Sequence, residues 1–284
     1  MSAETSNRYA INSVLRANTI LRCLARENGG LRVGAIAQRL DLDRTTAFRL
    51  IATLEECGLV ERVPNTKEFK LGVGVFEIGS AYIRSTDLHS AARPVMIDLA
   101  HQVKESVHWA ILAGDKAVCI DKIDSPRGLG TTSKIGGAVA LNSGSVGKVL
   151  LAFQPEDLRE RLLASIPLPR YTERTITSAA ALRDEIAEIR QKGYCLSLGE
   201  GEPDMACVAA PIFDHDHRII AGLSIGGSIQ RFTDPETASF LTGSLLNAAQ
   251  QISEKMGCAV VPAIETAAST VGTPPRPHAL EEMK

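Results

Sequence analysis

The sequence predicts an α+β chain in two parts, a small helical head closed by a strand hairpin and a larger body that mixes strands with helices. Three observations predict it. Within residues 11–57 apolar side chains recur at helical spacing in three successive segments, and two short strand-like runs follow by residue 71. From Ser106 onward, strand-like apolar runs and helical segments share the rest of the chain. The formal net charge of −2 hides an asymmetry: residues 1–84 carry 12 Lys+Arg against 9 Asp+Glu, and the other 200 residues carry 19 against 24.

Each element has its own warrant. Residues 11–27 read as an amphipathic helix whose stripe is Val14, Ala17, Leu21 and Leu24, with Arg16, Arg22 and Arg26 off it. Asn28-Gly29-Gly30 stops it. A short helix over 33–40 presents Val33, Ile36, Ala37 and Leu40. A third, over 44–57, turns Ala47, Leu50, Ile51 and Leu54 inward and ends at Gly58. Strands over 59–63 and 69–71 flank the turn Pro64-Asn65-Thr66-Lys67. Three helices followed by a hairpin is the layout of a winged helix-turn-helix, here residues 10–72.

Gly72 and Gly74 break the pattern, and a linker helix occupies 73–87. The body, 88–257, opens with a helix over 88–104. Strands over 107–112 and 117–123 flank Gly114-Asp115. A glycine-rich stretch containing Gly136-Gly137 and Gly144-Ser145-Val146-Gly147 leads into a helix over 145–153. Helices over 155–164 and 178–192 follow, then strands over 194–198, 206–213 and 218–226, then a helix over 234–256. Residues 1–9 read as a flexible N-terminus, and 258–284 as a disordered tail.

Composition narrows the function. Hydrophobic residues at 44% and charged residues at 23% fit an ordinary globular protein. Near-neutral charge argues against a histone-like or an acidic disordered chain. Aromatics at 4% argue against stacking many single-stranded bases. No apolar run approaches the roughly 18–20 residues of a membrane-spanning helix, and the polar stretch from Met1 to Tyr9 has no signal-peptide core. Six scattered cysteines with no C-x-x-C pair suggest reduced, mostly buried thiols in a cytoplasmic protein.

The third helix carries the first candidate site. Opposite its apolar stripe stand Arg44, Thr45, Thr46, Phe48 and Arg49. A recognition helix needs short hydroxyls that approach phosphates and arginines that reach guanine. Arg62 and Lys67, at the wing, are candidate backbone contacts.

Here the sequence resembles the IclR-type bacterial transcriptional regulators. The resemblance is carried by Asp41-Leu42-Asp43-Arg44-Thr45-Thr46-Ala47-Phe48-Arg49-Leu50-Ile51-Ala52-Thr53-Leu54, then by Gly58-Leu59-Val60 and Phe69-Lys70-Leu71-Gly72. It continues through Ala92-Arg93-Pro94-Val95-Met96, Gly147-Lys148-Val149-Leu150-Leu151-Ala152 and Lys192-Gly193-Tyr194 to Cys207-Val208-Ala209-Ala210-Pro211-Ile212-Phe213-Asp214 and Arg231-Phe232-Thr233-Asp234. It implies a winged helix, a linker helix and a sensing domain of GAF/PAS-like fold around an antiparallel sheet. It also implies dimers, or dimers of dimers, on palindromic double-stranded operator sites, with affinity altered by a small organic or aromatic acid.

The same resemblance places an effector pocket at Val139, Ser145, Val146, Ser197, Cys207, Ser224 and Gly226. Amides at a helix N-terminus near Ser145 suit a carboxylate. Members similar to the glyoxylate/pyruvate sensor carry an acidic residue in place of Ser197 and a serine in place of Gly226. The smaller side chains here imply a different or larger effector.

Other signals point away from enzymes, cofactors and metals. Gly144-Ser145-Val146-Gly147-Lys148 has too few residues between its glycines for a phosphate loop. His215 and His217 read as a polar turn, and His89, His101 and His108 lack a ligand spacing. No G-x-S-x-G elbow follows a strand. A small-molecule hydrolase and a protein-interaction module stand as the competing readings.

Overall fold

A computed structural model describes residues 10–27, 29–84, 87–127 and 133–258. The flexible N-terminus expected over 1–9 lies outside the described residues. So does the expected tail, apart from Cys258, which is buried where the chain leaves its last helix. The chain divides into two compact units, Met1–Thr86 and Asp87–Lys284.

In the first unit, α1 (Asn12–Leu24) precedes β1 (Leu31–Arg32), α2 (Val33–Arg39), α3 (Arg44–Glu56), β2 (Val60–Arg62), β3 (Glu68–Leu71) and α4 (Val73–Arg84). The strands pair antiparallel in the order β1-β3-β2, with Leu31 opposite Phe69 and Val60 opposite Leu71. Ile20, Leu24, Ile36, Ile51, Leu54, Val60 and Phe69 close one core between helices and sheet. The apolar stripe expected on α1 is displaced. Ile20 and Leu24 are buried, Ala17 and Leu21 pack at the edge, and Val14 is 62% exposed. Ile20 lies on the same face as Ala17 and Leu24, and the core centres on it, leaving Val14 in the first turn outside. The strand β1, too short for a period to register, was not foreseen.

Gly72 and Gly74 show why the hairpin ends where it does. A Cβ at either would meet the Gly58 carbonyl oxygen, at 2.4 and 2.8 Å, so the backbones pack directly.

The second unit is α5 (Asp87–Val103), β4 (Ser106–Ala113), β5 (Lys116–Ile123), β6 (Ala138–Ala140), α6 (Ser145–Ala152), α7 (Glu156–Ser165), α8 (Ala179–Lys192), β7 (Cys195–Leu198), β8 (Met205–Phe213), β9 (Ile219–Ser228), α9 (Ile229–Thr233) and α10 (Pro235–Lys255). Six antiparallel strands form a sheet in the order β6-β5-β4-β9-β8-β7. Strand alternation sorts the core onto its two faces. Val107, Trp109, Val208, Ala210, Leu223 and Ile225 pack with residues of α5 and α10. Ala110 and Ala209 point the other way and pack with residues of α6, α7 and α8. The sheet therefore lies between two helical layers. The short elements β6 and α9 add to those expected.

Helix ends follow local chemistry. Asp234 accepts the Thr237 N–H at 2.9 Å with Pro235 in the first turn, capping α10. Gly193, at φ +79°, ends α8 in the left-handed conformation that favours glycine.

Candidate functional site

The first site is the amino end of α3. Asp43 caps it by accepting the Thr46 N–H at 2.8 Å, and the Thr46 hydroxyl together with that N–H holds the Asp43 carboxyl below the usual carboxylate range. Ala47, Ile51 and Leu54 anchor the inner face. Arg44, Thr45, Phe48 and Arg49 are left exposed on the other, with Thr46 half-buried. Phe48 exposes 52% of its surface. Among the described residues Arg44, Arg49 and Lys67 make no ion pair, so their charges are available to phosphate. Lys67 stands exposed at the tip of the β2–β3 turn.

Arg62 is differently placed. Its guanidinium donates to Glu55 at 2.8 and 3.3 Å and lies 4.9 Å from the Phe69 ring centroid. It braces the wing against α3, and a phosphate would have to compete with Glu55 for it.

The second site is a cavity of about 480 Å³ in the second unit. It opens between the sheet and the amino end of α6. Its floor comes from His108 of β4, Ser224 of β9 and Cys207 of β8; Val139, Ser145, Val146 and Glu202 are among its walls. Gly144 precedes α6 at φ +79°, and no side chain caps the helix. The first amides of α6 are thus not engaged by a cap, at the positive end of the helix dipole. Two glycines hold α6 this close. A Cβ at Gly147 would meet the Ala140 carbonyl oxygen at 2.7 Å, and one at Gly222 would meet the Val146 side chain at 2.9 Å.

The structure brings five of the seven expected pocket residues together: Val139, Ser145, Val146, Cys207 and Ser224. Ser197 and Gly226 do not line the cavity. Both pair with Cys207 across the sheet, one on each side, and the cavity reaches only the middle of that row. Ser197 is buried one strand farther out, and Gly226 has no side chain to project. Sequence reasoning passed over His108, Ser143, Tyr171, Glu202 and Met205, which do line it. For His108 a signal existed: a polar residue at the alternate position of an otherwise apolar strand.

Apart from the helix end, the charge on the cavity wall is the carboxylate of Glu202. Among the described residues no lysine or arginine lines it. Burial, with Glu202 and Glu200 nearby, pushes the Cys207 thiol up to about 12, so it stays protonated and is a poor nucleophile. Burial, reinforced by Lys122, lowers His108 to about 4, so its ring is neutral at physiological pH. The nearby buried ammonium, Lys148, is fully engaged, donating to Glu185 and Glu200 at 2.7 Å each. Burial opposes its charge, but Cys195, Glu200 and Glu185 hold its pKa above the ordinary lysine value. Among the described residues no helix is long and apolar enough to cross a membrane.

Comparison with known proteins places both units in one family. Residues 13–64 match the IclR helix-turn-helix domain, and residues 80–254 match the bacterial transcriptional regulator IclR C-terminal domain. The chain is 34% identical to the HTH-type transcriptional regulator KdgR of Escherichia coli over 87% of its own length and 94% of that protein. It is 34% identical to the HTH-type transcriptional regulator BhcR of Paracoccus denitrificans, over 89% of each. Among solved structures, the Thermotoga maritima IclR superposes with a TM-score of 0.71 at 31% identity, over 87% of this chain and all of that one. These relatives are regulators and not hydrolases. The winged helix-turn-helix, the six-stranded sensing domain and these matches make the chain a member of the IclR family, a DNA-binding transcriptional regulator that responds to a small ligand.

Proposed function

We propose that the chain binds operator DNA through Arg44, Thr45, Thr46, Phe48 and Arg49 in the major groove. Lys67 contacts the backbone, and Arg62 does so only after yielding Glu55. The effector is an organic acid whose carboxylate rests on the amino end of α6, among Val139, Ser145, Val146, Cys207 and Ser224. The observation that carries this reading is the pairing of an exposed, ion-pair-free arginine face on α3 with an uncapped helix end facing a 480 Å³ cavity.

The working unit is a homodimer or a dimer of dimers on a palindromic site. Val14 and Leu15 of α1 and Phe76 of α4 are large apolar side chains exposed to water, Phe76 by 73%. A second copy is a natural cover for such surface, and a two-fold dimer matches a two-fold operator. The head's small basic excess makes this necessary, because two heads double the few phosphate contacts each supplies.

The test is a gel shift with DNA from upstream of the chain's own gene, at moderate salt, with light scattering on the free protein. Retarded complexes, a steep salt dependence and a dimeric or larger mass are expected. A protein that stays monomeric, or binds unrelated DNA equally well, overturns the reading.

A further inference from the structure

His108 is the feature of the cavity that the account above leaves unused. It is 4% exposed, it lines the cavity, and its Nδ1 has no hydrogen-bond partner among the described residues. Buried polar atoms in native proteins are almost always paired, and an unpaired one costs about 1–3 kcal/mol. The imidazole that carries this atom lines an open cavity large enough for a small molecule, and the ring is the polar group of β4 that a ligand there would meet.

The geometry says which part of the ligand. His108 pairs with Ser224 across β4 and β9, and the Ser224 hydroxyl lies 3.4 Å from that of Ser145, the first residue of α6. Adjacent strands lie about 4.8 Å apart. The imidazole and the helix amides are therefore within one small molecule's span. We propose that His108 selects the effector by hydrogen bonding a hydroxyl of a short hydroxylated aliphatic monocarboxylic acid whose carboxylate lies on the amino end of α6. This rests on the reading of the cavity as the effector site.

Three points support the class. A neutral imidazole has one donor and one acceptor nitrogen. A hydroxyl answers either, a carboxylate oxygen only one, and a methylene neither. Second, Glu202 lines the same cavity, close enough to influence Cys207, and no cation lines it among the described residues. A second carboxylate on the ligand would meet like charge there. Third, Tyr171 is the one aromatic on the lining among the described residues, and it is exposed at the rim. Ser143, Ser145 and Ser224 instead supply hydroxyls deeper in, which suit a polar chain better than a flat ring.

The test is calorimetric titration of the full chain with matched acids: gluconate against hexanoate, lactate against propionate, 4-hydroxybenzoate against benzoate, and glucarate as a dicarboxylate. At least one aliphatic hydroxy acid is expected to bind tenfold or more tightly than its deoxy partner. His108→Leu is expected to abolish that ratio. His108→Gln, whose amide both donates and accepts, is expected to keep part of it. Retention of DNA binding by both variants shows that they fold, and should Leu not be tolerated, the Gln variant and the ligand pairs still decide. If acids bind without regard to hydroxyls, if only the aromatic pair or glucarate binds, or if the ratio survives in His108→Leu, the proposal is overturned while the effector site stands. If no acid binds at all, the effector reading of the cavity falls with it.

Discussion

The Ser145 and Ser224 hydroxyls lie 3.4 Å apart, linking the first residue of α6 to β9 inside the cavity. Both serines are buried and line the cavity. Ser145→Ala or Ser224→Ala should weaken binding of a cavity-bound acid about five- to tenfold, roughly 1 kcal/mol. Unfolding stability should change by less. Calorimetric titration beside urea unfolding separates the two effects.

Arg49 projects from α3 into solvent with no ion-pair partner among the described residues. Arg49→Ala should reduce specific operator affinity by about 1–3 kcal/mol, a factor of roughly 5 to 150, while leaving acid binding and thermal stability unchanged. Fluorescence anisotropy on operator and scrambled DNA measures it. Simultaneous loss of acid binding would show that the head and the sensing unit are not separable as described.

Gly147 and Gly34 should respond in opposite directions. A Cβ at Gly147 meets the backbone of Ala140 and Leu141, at 2.7 and 3.0 Å, whereas one at Gly34 in α2 meets nothing within 4 Å. Gly147→Ala should cost about 1–2 kcal/mol, because the overlap outweighs the gain in helix propensity. Gly34→Ala should stabilise by about 0.5–1 kcal/mol. Chemical denaturation of the full chain reads both.

His108 predicts acid sensitivity. Its folded value of about 4 lies below the ordinary 6.5, so the folded state favours the neutral ring. The unfolded chain takes up the proton first as pH falls. The contribution is therefore fully present above about pH 6.5 and is lost progressively toward pH 4, by about 3 kcal/mol at most. Lys122 on the neighbouring strand adds to the repulsion once the ring is charged. Thermal unfolding between pH 4 and 7 should show this slope, and His108→Gln should flatten it.

Much of this was legible in the residues. The inner face of α3 announced itself by spacing, and Ala47, Ile51 and Leu54 are buried as that spacing requires. Gly144 and Ser145 marked the helix end that faces the cavity. What stayed hidden depended on distant partners. Val14 has the same spacing as a core residue, but it stays exposed in the first turn of α1 while Ile20 is fully buried among Leu24, Ile36, Ile51 and Leu54. Arg62 looked like a free wing cation until Glu55, seven residues back, folded beside it. Ser197 and Gly226 share a cross-strand row with Cys207, and only the register shows that the cavity stops short of them.

The most direct test of the central claim is operator affinity measured with and without a saturating concentration of an acid that binds the cavity. A regulator whose two arrangements differ in affinity for that acid should show operator affinity altered by about 5- to 150-fold, and the acid should bind correspondingly differently in the presence of operator. Identical operator affinity at saturating acid would contradict the account, since a ligand that binds both arrangements equally regulates nothing.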